Sequence, residues 1–338
     1  MKPVLIIAEA GVNHNGDIDI AKALIDAAAD AKVDIVKFQT FKTEKLVSKA
    51  AKKATYQQKN SDTEAQFEML KKLELPQDWH YELKNYAESK GVRFLSTGFD
   101  HESLDFLNTL NPLFFKIPSG EISNKPYLEH VASFGKPIVL STGMSNLKEI
   151  EAAIYVLTNN GVLKNKISVL HCNTEYPTPF IDVNLKAMLT IKKHFDLEIG
   201  YSDHTLGIEV AIAAVAMGAK VIEKHFTISR AMEGPDHSAS LEPYELKQMV
   251  KSIRNIELAL SGNGKKEPSA SELKNKIAAR KSIHINTNLN ADDTLDRKHI
   301  DIKRPGDGIN PMHINDVVGK KLKVNLTADS KLKWEDLE

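Results

Sequence analysis

Residues 198–226 read EIGYSDHTLGIEVAIAAVAMGAKVIEKHF and contain a complete strand, helix and strand pattern. Short apolar runs lie around Ile199 and Ile222, and the segment from Gly207 to Met217 between them has the period of a helix. A helix between two short β-rich runs is typical of parallel βα units. The segment therefore predicts parallel strands that are connected by helices.

The same alternation occurs along most of the chain. Eight apolar runs can be counted, centred near Leu5, Val36, Phe94, Phe115, Val139, Val169, Ile199 and Ile222. Eight strands with intervening helices predict an α/β fold of the closed (β/α)₈ type, the TIM barrel. A doubly wound open sheet is the alternative, but no GxGxxG turn follows the first run, which weakens a dinucleotide-binding interpretation.

Three segments depart from this alternation. The connection from Phe41 to Pro76 is abnormally long and is a candidate active-site lid. The polar stretch SGNGKKEPSASELKNK, residues 261–276, predicts a boundary, so we expect a catalytic domain over 1–265, a linker over 266–280 and a small domain over 281–338. Within the small domain, residues 288–300 and 325–337 align as NLNADDTLDRKHI and NLTADSKLKWEDL, which predicts two related units with pseudo-twofold symmetry.

Composition excludes several classes of partner. Lysine plus arginine and aspartate plus glutamate both count 45, so no broad basic field is available for nucleic acid or an anionic membrane. The first apolar run is too short to span a bilayer and is followed by Glu9, so we expect no signal peptide and a cytoplasmic protein. The single cysteine, Cys172, fits a reducing compartment and is interpreted as a small buried residue.

Polar side chains follow nearly every apolar run, at the strand ends where barrels of this type carry their active sites. One such residue is usually only solvated, but closure of the barrel would bring all the strand ends around one mouth. The sequence therefore predicts a polar site there. Its candidate residues are Glu9, Asn13, His14, Lys37, Gln39, Ser96, Thr97, Lys116, Ser119, Glu121, Ser141, Thr142, His171, Asn173, Glu175, Ser202, His204, Glu223 and His225.

His204 and His225 end adjacent runs, so their imidazoles could approach a common point. Two histidines with oxygen ligands from water and substrate suit Mn²⁺, with Mg²⁺, Co²⁺ or Zn²⁺ as alternatives. The competing interpretation is that both rings hydrogen bond to neighbouring carbonyl groups. No HExxH or cysteine-rich pattern occurs, which argues against a closed structural zinc site.

Lys37 and Lys116 would place positive charge at the same mouth, beside the hydroxyl groups of three serines. This combination suits a phosphate and a carboxylate. Alternatively, Lys37 pairs with Glu9 or Glu223, and Lys116 is the Schiff-base lysine of a class I aldolase. The second alternative needs a depressed lysine pKa, which nearby carboxylates would oppose.

Over nearly its whole length the chain resembles the sialic acid (N-acetylneuraminate) synthase family. The motifs that carry the resemblance are AEAGVNHNGD at Ala8, VKFQTF at Val36, KIPSGE at Lys116, STGM at Ser141, HCNTEYPTP at His171, YSDH at Tyr201, EKHF at Glu223, GPDH at Gly234 and KRPGDGI at Lys303. The resemblance implies a TIM barrel followed by a small C-terminal antifreeze-like (SAF) domain. It also implies a homodimer in which this domain is swapped onto the partner's barrel.

The resemblance implies a transferase that condenses phosphoenolpyruvate with N-acetylmannosamine and water in a metal-dependent reaction. The products would be N-acetylneuraminate and phosphate, released by C–O cleavage. The alternative within the family is an N,N'-diacetyllegionaminate synthase, which uses 2,4-diacetamido-2,4,6-trideoxymannose. An alternative from another class makes the small domain an independent binding module for carbohydrate or ice.

The resemblance also implies roles for individual residues. His204 and His225 would be the metal ligands, and Glu223, Glu121 and Gln39 would be catalytic, with the proton relay open between the two glutamates. Near Ala278 the chain lacks an aromatic residue that some members place by the sugar. The phosphoenolpyruvate-binding residues would be Lys37, Lys116, Ser119, Ser141, Ser202 and either Asn173 or Thr174. The sugar-binding residues would be Glu121, Tyr176, Asp236 and Arg304 of the partner subunit.

Overall fold

The computed structural model of the protein describes residues 2–49, 51 and 66–338. These residues form two compact units, Met1–Ser261 and Gly262–Glu338. Each unit has its own cluster of buried apolar side chains. No helix within the described ranges is both long and apolar enough to cross a bilayer.

Eight parallel strands form the sheet of the first unit. They are β1 (Leu5–Gly11), β2 (Ile35–Thr40), β3 (Arg93–Gly98), β4 (Phe115–Ile117), β5 (Ile138–Ser141), β6 (Ile167–Cys172), β7 (Glu198–Asp203) and β8 (Val221–His225). Their order is β3-β2-β1-β8-β7-β6-β5-β4, and β3 also lies beside β4. The sheet therefore curves into a nearly closed barrel, which confirms the predicted (β/α)₈ fold and excludes the open sheet.

Helices connect the strands and cover the outside of the barrel. The helices of the described chain are α1 (Ile18–Asp30), α2 (Thr43–Leu46), α3 (Gln66–Lys72), α4 (Gln77–Ser89), α5 (His101–Thr109), α6 (Lys125–Ser133), α7 (Leu147–Asn159), α8 (Lys186–Phe195), α9 (Glu209–Ala216), α10 (Pro243–Ala259), α11 (Ala270–Ala279) and α12 (Ile314–Val317). Side-chain caps fix several starts. Asp17, for example, accepts hydrogen bonds from the N–H groups of Asp19 and Ile20 at the start of α1.

Strand alternation divides the barrel core into two apolar clusters. On β1, Ile6 and Ala8 pack against the outer helices, whereas Ile7 belongs to the cluster that fills the barrel interior. Gly200 permits a close approach inside this packing, because a Cβ there would collide with the carbonyl oxygen of Val221 and with Leu170. The interior cluster fills the part of the barrel near the amino ends of the strands. The inward side chains at the carboxyl ends are therefore free to form a polar site.

The long connection after β2 is described only in part. Its described helices are α2 and α3, and Met69 of α3 packs with Val12, Phe41 and Leu73 in a small apolar cluster. The predicted lid includes residues 50 and 52–65, which lie outside the described residues. The lid therefore stays a prediction.

The second unit contains the antiparallel strands β9 (Ser282–Ile285) and β10 (Ile300–Lys303). The two predicted repeats form symmetric hydrogen bonds with each other. Asn288 Oδ1 accepts a hydrogen bond from the N–H of Ala328, Asn325 Oδ1 accepts one from the N–H of Ala291, and both distances are 2.8 Å. Leu289 and Leu326 exchange two backbone hydrogen bonds between these asparagines. The predicted internal repeat is confirmed.

Candidate active site

A cavity of about 410 Å³ lies at the carboxyl ends of the barrel strands. Its volume is in the range of small-molecule sites. It is lined by a set of residues proposed from the sequence, namely Lys37, Gln39, Lys116, Ser119, Ser141, Thr174, Tyr176, Ser202, His204, Glu223, His225 and Asp236. The strand ends thus converge as the sequence indicates, although convergence alone does not test the role assigned to each residue.

Three residues to which the resemblance assigns a role do not line this cavity. Glu121 is half-buried, and its Oε2 accepts a hydrogen bond from Asn124 Nδ2 at 2.6 Å. Asn173 Oδ1 accepts one from the N–H of Glu175 at 2.8 Å, so of the alternatives Asn173 and Thr174 it is Thr174 that faces the cavity. Arg304 belongs to the second compact unit, where it is exposed.

Two lysines and two glutamates form a buried ionic network at the base of the cavity. Lys37 Nζ lies 2.6 Å from Glu9 Oε2 and 3.8 Å from Glu223 Oε2, and it donates a hydrogen bond to Thr97 Oγ1 at 2.8 Å. Lys116 Nζ lies 3.3 Å from Glu223 Oε1. Lys37 therefore pairs with both carboxylates that the sequence suggested as partners, and Glu223 joins the two lysines.

The two carboxyl groups of this network differ in their tendency to ionise. Burial would raise the pKa of Glu223, but Lys116 and Lys37 outweigh it and hold that pKa below its usual value. Burial raises the pKa of Glu9 to about 7, against the lowering effect of Lys37. One carboxylate thus stays ionised between the two lysines while the other is partly protonated near neutral pH, which favours binding of an anion.

The rings of His204, one residue after β7, and His225, the last residue of β8, lie side by side with centroids 5.5 Å apart. His204 Nδ1 donates to the carbonyl oxygen of Asn173, which leaves Nε2 with a lone pair. His225 Nδ1 is buried, has no hydrogen-bond partner among the described residues and lies 3.8 Å from Asp236 Oδ2. The competing interpretation, that both rings bond to carbonyl groups, holds for His204 only.

Burial lowers the pKa of His204 to about 4 and that of His225 well below its usual value. Both rings are therefore neutral near pH 7 and offer lone pairs to a cation. No group of three or more His, Cys, Asp or Glu side chains within residues 2–49, 51 and 66–338 has a metal-holding arrangement. Two neutral imidazoles with an orphaned nitrogen fit an ion that takes its other ligands from water and substrate.

Another part of the cavity wall carries hydroxyl groups, and the backbone of Gly143 packs closely against two of these residues, Ser119 and Thr174. Gly143 N–H donates to Ser119 Oγ at 2.9 Å, and Ser119 Oγ lies 3.2 Å from Cys172 Sγ. A Cβ on Gly143 would lie 2.5 Å from Thr174 Cγ2 and 2.9 Å from Ser119 Oγ. Ser141 Oγ is buried and has no partner within the described part of the chain, so it is available to a ligand.

Sequence reasoning also proposed Asn13, His14, Ser96, Thr142, His171 and Glu175, and none of them lines the cavity. His171 faces outward and bonds to the carbonyl oxygen of Val183 at 3.0 Å. Its neighbour Cys172 lines the cavity, and burial raises the pKa of its thiol. Strand alternation could have identified Cys172, because it follows the inward Leu170 of β6 by two positions and so points to the same side.

Comparison with known proteins gives consistent matches. The NeuB family profile matches residues 24–266, and the SAF domain profile matches residues 280–338. The chain is 51% identical over 330 residues to the N,N'-diacetyllegionaminic acid synthase of Campylobacter jejuni, covering 97% of this chain and 98% of that protein. It is 48% identical to the Legionella pneumophila enzyme of the same name, covering 98% of this chain and 94% of that protein.

A solved structure agrees with these matches. The N-acetylneuraminic acid (sialic acid) synthetase of Leptospira borgpetersenii superposes with a TM-score of 0.72 at 37% identity, covering 81% of this chain and 90% of that one. The predicted combination of a barrel with a C-terminal SAF domain is confirmed.

Proposed function

This chain belongs to the NeuB family, and we propose that it is an N,N'-diacetyllegionaminate synthase. It would condense phosphoenolpyruvate with 2,4-diacetamido-2,4,6-trideoxymannose and water, releasing phosphate. The relatives at 51% and 48% identity carry this activity in their names, whereas the sialic acid synthetase is 37% identical. These comparisons favour the alternative drawn from the sequence over its main expectation, N-acetylneuraminate.

The ionic network is the observation that supports an anionic substrate. Lys37 and Lys116 flank the ionised Glu223, and Ser119, Ser141 and Thr174 line the same cavity. Two lysine side chains with adjacent hydroxyl groups suit the phosphate and carboxylate of phosphoenolpyruvate. The Schiff-base alternative is disfavoured, because Glu223 Oε1 lies 3.3 Å from Lys116 Nζ, and a neighbouring carboxylate opposes the free amine that a Schiff base needs.

We propose that His204 and His225 hold a divalent ion, Mn²⁺ or alternatively Mg²⁺ or Co²⁺. When bound, the ion would act as a Lewis acid that polarises the aldehyde of the open-chain sugar. Asp236, beside His225 and with a pKa that burial raises to about 6, would accept hydrogen bonds from sugar hydroxyl groups.

The chain's own residues would then guide bond formation. C3 of phosphoenolpyruvate bonds to the sugar aldehyde carbon, water adds at C2, and phosphate leaves from C2 by C–O cleavage. We propose that Glu223 rather than Glu121 accepts the proton of the attacking water and passes it to the oxygen of the former aldehyde, because Glu223 is held ionised and lines the cavity. Its Oε1 also lies 3.2 Å from Ser202 Oγ. Gln39 donates to Glu9 Oε1 at 3.0 Å and would orient that carboxyl group.

We also propose that the active form is a cytoplasmic homodimer, in which the second unit of each protomer lies on the partner's barrel. Support comes from the SAF domain match and from the exposed Arg304 in the KRPGDGI motif. Arg304 of the partner subunit would meet the N-acetyl group of the sugar. Light scattering of the purified protein tests this proposal, and the mass of a single chain would count against it.

The function is tested by phosphate release from phosphoenolpyruvate. Purified protein is treated with EDTA, supplied with Mn²⁺ and offered either N-acetylmannosamine or 2,4-diacetamido-2,4,6-trideoxymannose. We expect metal-dependent release with a kcat/KM that strongly favours the second sugar. A preference for N-acetylmannosamine would make the protein an N-acetylneuraminate synthase, and release with neither sugar would contradict the proposed reaction.

Gly143→Ala is expected to lower kcat/KM for phosphoenolpyruvate by about 100-fold, because displacement of catalytic groups by about 1 Å has effects of that size. The new methyl group would push Thr174 and Ser119 into the cavity. Steady-state phosphate release measures the loss. Gly143→Ala/Thr174→Ser removes the methyl group that lies nearest the new Cβ, so it should recover part of the activity. Equal activity of Gly143→Ala and wild type would refute the steric argument.

A further inference from the structure

A buried ion pair lies behind the two imidazoles, on the opposite face of the sheet. Lys224 Nζ lies 2.8 Å from Asp203 Oδ2, and the two side chains are 1% and 0% exposed. Successive strand residues point to opposite faces, so His204 and His225 face the cavity while Asp203 and Lys224 face away from it. This pair is therefore outside the cavity but adjacent in sequence to both rings.

The ion pair also fixes the local backbone. Asp203 and Lys224 are directly opposite each other in the register of β7 and β8. Lys224 Nζ donates a second hydrogen bond to the carbonyl oxygen of Thr205 at 2.6 Å. Asp203 Oδ1 accepts from the N–H and the hydroxyl group of Thr205, at 3.0 and 2.8 Å. The residues on both sides of His204 are thus tied to the residue that precedes His225.

We propose that the Asp203–Lys224 pair positions the two imidazoles, by locking β7 and β8 in the register that sets their separation for a divalent cation. The inference rests on the proposed role of His204 and His225 as metal ligands. A buried ion pair is generally no more stabilising than apolar side chains of the same volume. What the pair provides here is directional bonding between the two strand ends, which apolar packing would not supply.

The proposal is tested by titrating metal-free protein with Mn²⁺ and measuring the free ion by electron paramagnetic resonance. Asp203→Asn/Lys224→Met leaves no unpaired buried charge and keeps an acceptor for Thr205. We expect it to bind Mn²⁺ about 10- to 100-fold more weakly, the range found when groups that orient metal ligands are replaced. Lys224→Arg, which retains a cation, should bind within a few-fold of wild type. If the double variant does not fold, Asp203→Glu, which keeps both charges but moves the acceptor of the Thr205 hydrogen bonds, is measured in the same way and should also bind Mn²⁺ more weakly than wild type.

A second ion pair in the same unit provides the matched control. Arg254 NH2 lies 2.9 Å from Asp34 Oδ2, and neither residue lines the cavity. Asp34→Asn/Arg254→Met should leave the Mn²⁺ affinity unchanged even where it lowers the melting temperature. The inference is overturned if Asp203→Asn/Lys224→Met binds Mn²⁺ as tightly as wild type, or if the control loses affinity equally. Absence of Mn²⁺ binding by the wild-type protein would overturn the metal assignment as well, which separates the two failures.

Discussion

His225→Ala is expected to lower the rate of phosphate release by about 1000-fold or more, because a Lewis-acid ion provides several kcal/mol of transition-state stabilisation. The same change should have little effect on the free energy of unfolding. His225 Nδ1 makes no hydrogen bond to a described residue, and the ring adjoins an existing cavity. Removal of the ring therefore breaks no polar contact at that nitrogen. Phosphate release and urea denaturation of the purified variant measure the two effects.

His171→Ala, on β6, should have the opposite effects, lowering stability but not turnover. His171 Nε2 bonds to the carbonyl oxygen of Val183 and the residue does not line the cavity. Its loss should lower the free energy of unfolding by about 1–3 kcal/mol, the cost of an unsatisfied buried group, and leave turnover near wild type. Retained turnover in His225→Ala, or an equal loss of turnover in His171→Ala, would contradict the assignment of His225.

The barrel could be predicted because its strands are apolar runs that repeat with helical segments between them. The helix predicted from Gly207 to Met217 is α9 (Glu209–Ala216), which begins two residues later and ends one residue earlier. The helices α5 (His101–Thr109) and α6 (Lys125–Ser133) are short and were not singled out from the sequence. The fold was still predictable, because strand order and closure depend on the runs rather than on each helix.

The helix α11 shows a different limit of sequence reasoning. It lies within the predicted linker, residues 266–280, and none of its residues is buried. Its start was nevertheless encoded, since Ser269 and Glu272 form a capping box. Its two large apolar residues, Leu273 and Ile277, are four positions apart but exposed, and one such pair is too short a pattern to identify a helix. The capping residues were therefore the clearer signal.

The site was predictable where chemistry and strand alternation agree, as for Lys37, Lys116, His204 and His225. It was not predictable where a wall is supplied by a distant segment. Met69 and Leu70 of α3 line the cavity, but they come from the long connection after β2 and carry no polar signal. Their position depends on how that connection packs, which local sequence patterns do not specify.

Lys37→Met is expected to lower the free energy of unfolding by about 3–5 kcal/mol, the usual cost of removing one member of a buried ion pair. Glu223 would keep Lys116 at 3.3 Å, but Glu9 would keep only the hydrogen bond from Gln39. Urea denaturation measures this loss. As a control, Lys22→Met removes a lysine from the surface pair with Glu82 and should change stability little.

A double variant separates stability from activity. Glu9→Gln/Lys37→Met removes the carboxylate together with its cation, so it should recover most of the lost stability. It should not recover phosphoenolpyruvate binding, because the lysine proposed to hold the anion is still absent. A double variant as unstable as Lys37→Met would show that the cost arises from lost packing of the lysine stem rather than from the charge of Glu9.

The pH dependence of unfolding tests whether Glu9 causes the loss of stability in Lys37→Met. Burial already raises the pKa of Glu9 to about 7 in the presence of Lys37, and loss of that cation raises it further. Because the folded-state pKa then lies above the unfolded one, the folded state binds the proton more tightly and gains stability as the pH falls. Both proteins bind this proton well below pH 7, so the stability difference between Lys37→Met and wild type should narrow as the pH falls from about 9 to about 7 and change little below that. The stability difference between Glu9→Gln/Lys37→Met and Glu9→Gln should not narrow in this way, because residue 9 then carries no ionisable group.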